Sequence, residues 1–229
     1  MKYKGILAAA ASGSIRGVTA SHNRGGQYFR GRTIPSNPNT AQQQAVRSAM
    51  ALLSPRWGSS LTAAQREAWD AYAAATPITN AMGDPINAGG LGMFIRGNTP
   101  RINAGLAIVD DAPTVYNVGE FTPPVFAAPD ASLGTVSMAF TNGDDWAGEI
   151  GSSMLVYISR PTNPSINYFK GPYQYAGRVN GGVTPPTSPA SITLPFPVAA
   201  GQRLFYKVNV TRLDGRYSAD FRGSGTVVA

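Results

Sequence analysis

One histidine, no cysteine and two pairs of adjacent aspartates are the conspicuous chemical resources of this 229-residue chain. A catalytic zinc normally takes three protein ligands and a structural zinc four, drawn mostly from His and Cys. His22 stands alone between Ser21 and Asn23, so imidazole and thiolate cannot build either site. A Ser-His-Asp triad would also have to recruit His22, which lies in a glycine-rich stretch with nothing to aim it. Carboxylate pairs serve as acid and base in glycoside hydrolysis, and the adjacent pairs here are Asp110-Asp111 and Asp144-Asp145. Neighbouring residues on a strand face opposite ways, and "TNGDDWAG" reads as a turn, so neither pair implies a shared site. Asp144 and Asp145 are candidates for a loop-bound Ca2+, but EF-hand spacing is missing and an Asp-rich turn is the simpler reading.

Phosphate loops fail in the same way. "GGLGMF" lacks the Lys-Ser/Thr of a P-loop, and "GSIRGV" lacks a strand before it and a helix after it. "NVT" at 209–211 matches a glycosylation acceptor in form only. The expectation is therefore a non-enzymatic protein with no catalytic residue, no metal and no cofactor.

Charge is the stronger signal. The net charge is +7, yet nine cations (Lys2, Lys4, Arg16, Arg24, Arg30, Arg32, Arg47, Arg56 and Arg66) precede the first acid, Glu67. After Arg66, twelve acids face ten bases. Such asymmetry suggests a basic arm that meets something negative, although a solvated tail would carry the same charge. Arg16, Arg24, Arg30 and Arg32, with Tyr28 and Phe29, are the candidate partner-binding residues of that arm. Arginines suit carboxylates on a neighbouring protein. Interleaved aromatics also suit nucleic acid, which is the second choice because no base-reading module accompanies them.

These residues need elements to position them. Hydrophobic content of 43% argues against global disorder. Charged residues are only 14%, below the usual quarter or so, and 26 Gly with 18 Pro require many turns and loops. A loop-rich surface poor in charge fits a chain covered by other subunits, a homo-oligomer among them. Without cysteine, disulfides cannot hold the fold. The apolar run at 6–11 is too short for a signal peptide, and no run approaches a membrane span.

Three regions are expected. Residues 1–38 read as an extended basic arm: Gly5, Gly13, Gly17, Gly25, Gly26 and Gly31 interrupt every helix, Pro35 and Pro38 close it, and pieces such as "QYFRGRTI" pair as strands only where a partner offers a sheet edge. Residues 39–121 read as a helical docking region. A run free of Gly and Pro spans 41–54, with Ala45, Val46, Ala49, Met50 and Leu53 on one face. Thr62 and Gln65 form a capping box before Ala68, Trp69 and Tyr72. A third segment with Phe94, Ile95 and Ile102 starts like a helix that Gly97 and Pro100 must kink or break. Arg47, Trp57, Arg66, Trp69, Arg96 and Arg101 are its candidate docking residues, with plain packing the simpler role for Trp57, Trp69 and Tyr72.

From 122 to 229 the pattern alternates. "PVFAAP", "GTVSMAFT", "SMLVYISRP", "YQYAGRV", "SITLPF", "QRLFYKVNVTRL" and "GRYSADFRGSGTVV" give seven short strands separated by turns. Asp214-Gly215 between the last two is a strong hairpin signal. Overall the class is α+β: an arm, a small helical region, and a C-terminal immunoglobulin- or fibronectin III-like β-sandwich, with a jelly roll as the alternative.

Residues 13–113 carry a Gly/Arg arm, a Pro-x-Asn-Pro-x-Thr-x-x-Gln-x-x-x-Arg helix start at Pro35, Asn37, Pro38, Thr40, Gln43 and Arg47, and a Trp, Leu-Thr, Gln-Arg, Trp pattern at Trp57, Leu61, Thr62, Gln65, Arg66 and Trp69. A later segment holds Phe94, Asn98, Gly105, Leu106, Ala112 and Pro113. In these patterns the stretch resembles a group of tailed-bacteriophage virion proteins. The resemblance implies a virion structural protein, a head decoration or cement (minor capsid) protein bound to capsid or other virion subunits. A connector or tail-associated place and a packaging role on the genome are the alternatives. Assembly in the host cytoplasm, away from membrane, goes with it.

Overall fold

The computed structural model describes residues 13–23, 26–34, 36–79 and 84–229. The apolar run at 6–11 and Arg24 lie outside them. The chain divides into two compact units, Met1–Thr40 and Ala41–Ala229.

The described part of the first unit is an antiparallel meander of β1 (Gly13–Ile15), β2 (Val18–Asn23) and β3 (Gly26–Gly31). Arg16 and Gly17 form the first turn, with Arg16 at φ 49°. A two-residue loop with positive φ matches the right-handed twist of its strands and closes at small entropic cost. Ser14 Oγ and Thr19 Oγ1 hydrogen-bond across this hairpin at 2.7 Å, and the Arg32 N–H donates to Gly17 O at 2.8 Å. Residues 13–23 and 26–31 are therefore not the extended, unpaired arm that the glycines suggested. Each strand finds its partner in the next stretch of sequence, so no foreign sheet edge is required to pair them.

The second unit begins with α1 (Ala41–Ser59), α2 (Ala63–Ala75) and α3 (Gly89–Asn103). A small pair, β4 (Ile78–Thr79) and β5 (Pro85–Ile86), connects α2 to α3. Leu53, Leu61, Trp69, Tyr72, Met93 and Phe94 are the shared core. The capping box forms as expected: Gln65 N–H donates to Thr62 Oγ1 at 3.3 Å, and Thr62 N–H donates to Gln65 Oε1 at 2.8 Å.

Two helix expectations are corrected. First, α1 runs through Pro55, which removes only one backbone bond. Arg66 Nη1 holds the helix's last turn, donating to Trp57 O at 3.2 Å and Gly58 O at 3.3 Å, and also to Leu61 O in the following loop at 3.2 Å. On that helix Ala49 and Leu53 are buried, whereas Val46 and Met50 are exposed. Second, α3 is one helix through Gly97 and Pro100. At Gly97 the helix touches the turn around Gly215 so closely that a Cβ would stand 2.6 Å from Gly215 O. The glycine is there for close approach, not for a break.

Seven strands follow, at the positions that alternation indicated. They are β6 (Val125–Phe126), β7 (Thr135–Ala139), β8 (Ser153–Ile158), β9 (Gln174–Asn180), β10 (Ala190–Thr193), β11 (Arg203–Thr211) and β12 (Phe221–Thr226). They form antiparallel sheets of order β10-β7-β6 and β12-β11-β8-β9. One core joins them, with Val136 and Met138 of β7, Ile192 of β10, Met154 and Val156 of β8, and Leu204, Tyr206 and Val208 of β11.

No boundary falls at 121/122, because the helices and sheets belong to one unit. Arg101 of α3 donates to Arg212 O at 2.7 Å, and Arg178 of β9 donates to Ala104 O. Buried carbonyls at the ends of helix and strand are thus satisfied across the expected boundary.

Candidate functional site

The meander's register sorts its side chains. Gly13, Ala20 and Phe29 are cross-strand neighbours, as are Ile15, Val18 and Gly31. Cross-strand neighbours share a face, so Ile15, Val18, Ala20 and Phe29 lie together. Ser14, Thr19 and Arg30 occupy the opposite face with Ser21 and Tyr28. Ile15 is 80% and Val18 48% exposed. A three-stranded sheet of this size needs a covered apolar face to be stable by itself. Of the candidate arm residues, Arg16 stands at the turn, Tyr28 and Arg30 on the polar face, Phe29 on the apolar face, and Arg32 just after β3.

The candidate docking residues of the second unit fare differently. Trp69 is fully buried, donates from Nε1 to Asp110 O at 2.8 Å, and meets Tyr72 and Phe94 edge to face. Trp57 is half-buried against Phe94, with ring centroids 5.7 Å apart. Packing is the role of both tryptophans. Arg66 caps α1, as above. Arg101 is 2% exposed; besides Arg212 O it donates from Nε to Ala107 O at 2.9 Å, and burial lowers its guanidinium pKa. These four side chains hold the chain to itself. Arg47 on α1 is exposed and Arg96 on α3 half-buried, so these two reach the surface of the corner.

Both aspartate pairs divide between separate partners. Asp110 takes a bidentate pair from Arg56 at 2.6 and 2.5 Å, while Asp111 accepts from Gln65 Nε2 at 2.8 Å. Asp144 accepts from the N–H and hydroxyl of Thr122 at 2.8 and 2.9 Å, and Asp145 accepts from Glu120 N–H at 3.0 Å. They brace the segment that leads into β6. Among the described residues no group of three His, Cys, Asp or Glu is placed to hold a metal, and no helix is long and apolar enough to cross a membrane.

Sequence reasoning missed the arginines that seat the 114–121 segment. Arg212 donates to Glu149 Oε2 at 2.6 Å and to Val118 O at 2.8 Å; Arg216 donates to Asp214 and to Asn117 O. It also missed Lys207, a cation in the middle of an apolar strand. That position was its only signal, since the groups around it come from distant segments.

No protein-family model matches the sequence, and no curated protein does. Among solved structures, the adhesin domain of Epf from Streptococcus pyogenes aligns with 47% of this chain at 17% identity and a TM-score of 0.30. The alignment spans 33% of that chain, and at this score it carries neither fold nor function to the present one.

Proposed function

We propose that this chain is a non-enzymatic structural protein of a tailed-phage virion, a head decoration or cement protein that straps onto capsid subunits through its N-terminal unit. The observation that carries this reading is the meander's open apolar face, Ile15 and Val18 above all, beside Arg16 and Arg32. Such a face asks for a protein surface with an apolar centre and a carboxylate rim, because apolar burial supplies affinity and charge supplies register. The Gly/Arg arm and the Pro-x-Asn-Pro and Trp…Leu-Thr…Gln-Arg motifs support a virion home for it.

The seven strands are read as an immunoglobulin- or fibronectin III-like sandwich. Support comes from their division into three and four, and from connections that pass between sheets at β7–β8, β9–β10 and β10–β11. In this reading the 41–229 unit is displayed, while the meander anchors. Copies of the chain act together as an oligomer on the particle.

Loading onto particles tests the reading. Deleting residues 1–40, or combining Ile15→Asp with Val18→Asp, should reduce copies per particle at least about ten-fold while the 41–229 unit stays folded. Full loading of the deletion variant would end the proposal. A second reading, nucleic-acid binding, draws on Tyr28 and Arg30 sharing the polar face. It requires affinity for DNA or RNA that falls by orders of magnitude between about 50 and 200 mM salt, which a protein-docked meander does not show.

A further inference from the structure

A cleft of about 330 Å³ opens where the end of α3, the loop before β9 and the outer face of β11 meet. That is within the range of small-ligand pockets, about 300–1,000 Å³. Three cations line it, Lys170, Lys207 and Arg222, against one carboxylate, Asp220. The carboxylate is already engaged: Asn209 Nδ2 donates to it at 2.8 Å and Arg222 Nη2 at 3.0 Å. Burial pushes the Asp220 carboxyl up, but these hydrogen bonds and the nearby cations outweigh it and hold it below its ordinary value.

Lys207 is the more loosely held cation, with an ion pair to Asp220 and a ring contact to Tyr157. Its Nζ stands 3.8 Å from Asp220 Oδ1, beyond hydrogen-bond distance, and 4.5 Å from the centre of the Tyr157 ring. Burial pulls the ammonium below its ordinary pKa, with Asp220 acting in the opposite direction. An ammonium held in that setting gains from a further anion. Two neutral phenols stand beside it, Tyr217 hydrogen-bonded to Tyr157. Burial raises the phenol of Tyr217 and pushes that of Tyr157 up to about 12, so both keep their protons at neutral pH. Thr99 Oγ1, also in the lining, is buried with no hydrogen-bond partner among the described residues.

We propose that this cleft binds a ligand of monosaccharide size that carries a carboxylate or a phosphate. Lys207 anchors the charge, Lys170 adds to the field at the mouth, and the Tyr157 phenol, which accepts from Tyr217 and keeps its own O–H, meets the ligand's neutral oxygens. The volume is larger than inorganic phosphate alone would fill. The site stands on the 41–229 unit alone and does not depend on the virion reading.

Titrating the full-length chain with glucuronate, glucose 6-phosphate, inorganic phosphate and glucose, followed by NMR shifts of the backbone amides, tests it. Saturable shifts around Lys207 and Thr99 are expected with glucuronate, glucose 6-phosphate or both, and the stronger of the two identifies the anionic group. Lys207→Gln should weaken that binding about ten-fold or more, as the loss of a charge-assisted hydrogen bond implies. Lys170→Gln, on an exposed loop and therefore safe for folding, should weaken it by a smaller factor that disappears in high salt. No saturable shift with either sugar anion, equal binding of glucose, or wild-type affinity in the lysine variants would overturn the site. Inorganic phosphate binding as tightly as glucose 6-phosphate would overturn the assigned ligand size.

Discussion

The meander and β11 obey the same alternation but end in different surroundings. In β11, Leu204, Tyr206, Val208 and Val210 point into a core closed by the second sheet, and all four are buried. In the meander, Ile15, Val18, Ala20 and Phe29 share a face just as regularly, yet Ile15 and Val18 are open. Alternation decides which side chains stand together. Whether that group is covered depends on a second layer, and a sheet of three short strands cannot supply its own. Stability should therefore sit in the 41–229 unit, and the exposed face of the meander should contribute to association instead.

The largest expected effect comes from removing a buried anchor of the second unit. Trp69→Ala should cost about 3–5 kcal/mol in urea unfolding, since it opens a cavity among Tyr72 and Phe94 and leaves Asp110 O without its donor. A loss under about 1 kcal/mol would mean that the helical corner adds little to this unit and would break the contrast.

An intermediate effect is expected at alkaline pH. Burial pushes the phenols of Tyr157 and Tyr206 up to about 12, against an ordinary value of 10.0. Below pH 10 folded and unfolded chains both keep these protons. Between about 10 and 12 only the unfolded chain gives them up, so stability falls as pH rises through that window. Tyr206→Phe should flatten part of this fall; an unchanged alkaline limb would show that Tyr206 does not contribute to it.

The smallest effect belongs to the meander. Ile15→Thr should shift the unfolding of the 41–229 unit by less than about 0.5 kcal/mol, because the side chain is 80% exposed. A shift of several times that size would show that this residue is part of the folded core and would erase the comparison.

Much of the fold is legible in local pattern. The capping box at Thr62 and Gln65, the strand runs from 122 onward and the turn at Asp214-Gly215 depend on residues a few positions apart. Such signals survive without tertiary knowledge. The meander was harder to read, because "GSIRGVTA" looks like a broken arm when its glycines are counted. The physical signal was present in Arg16-Gly17, a two-residue turn between Ile15 and Val18. The α3 segment misled for the opposite reason. Gly97 and Pro100 weaken a helix in isolation, but contact with the Gly215 turn outweighs that local cost.

The docking residues divide along the same line. Arginine and tryptophan are the residue types expected at an interface, yet Arg66, Trp69 and Arg101 satisfy carbonyls and pack aromatics within their own unit. Residue type alone cannot separate an internal interface from an external one, since both reward the same chemistry.

By itself the sequence determined the charge asymmetry about Glu67, the near-absence of imidazole and thiol groups, and the alternation that assigns each strand residue to a face. These depend on composition and nearest neighbours. Only the tertiary structure decided which faces are covered, joined α3 to the end of β11 through Arg101, and gathered Lys207, Arg222, Tyr217 and Thr99 around one cleft. Those outcomes arise from contacts between segments far apart in the chain, where packing and the satisfaction of buried polar groups override local preference.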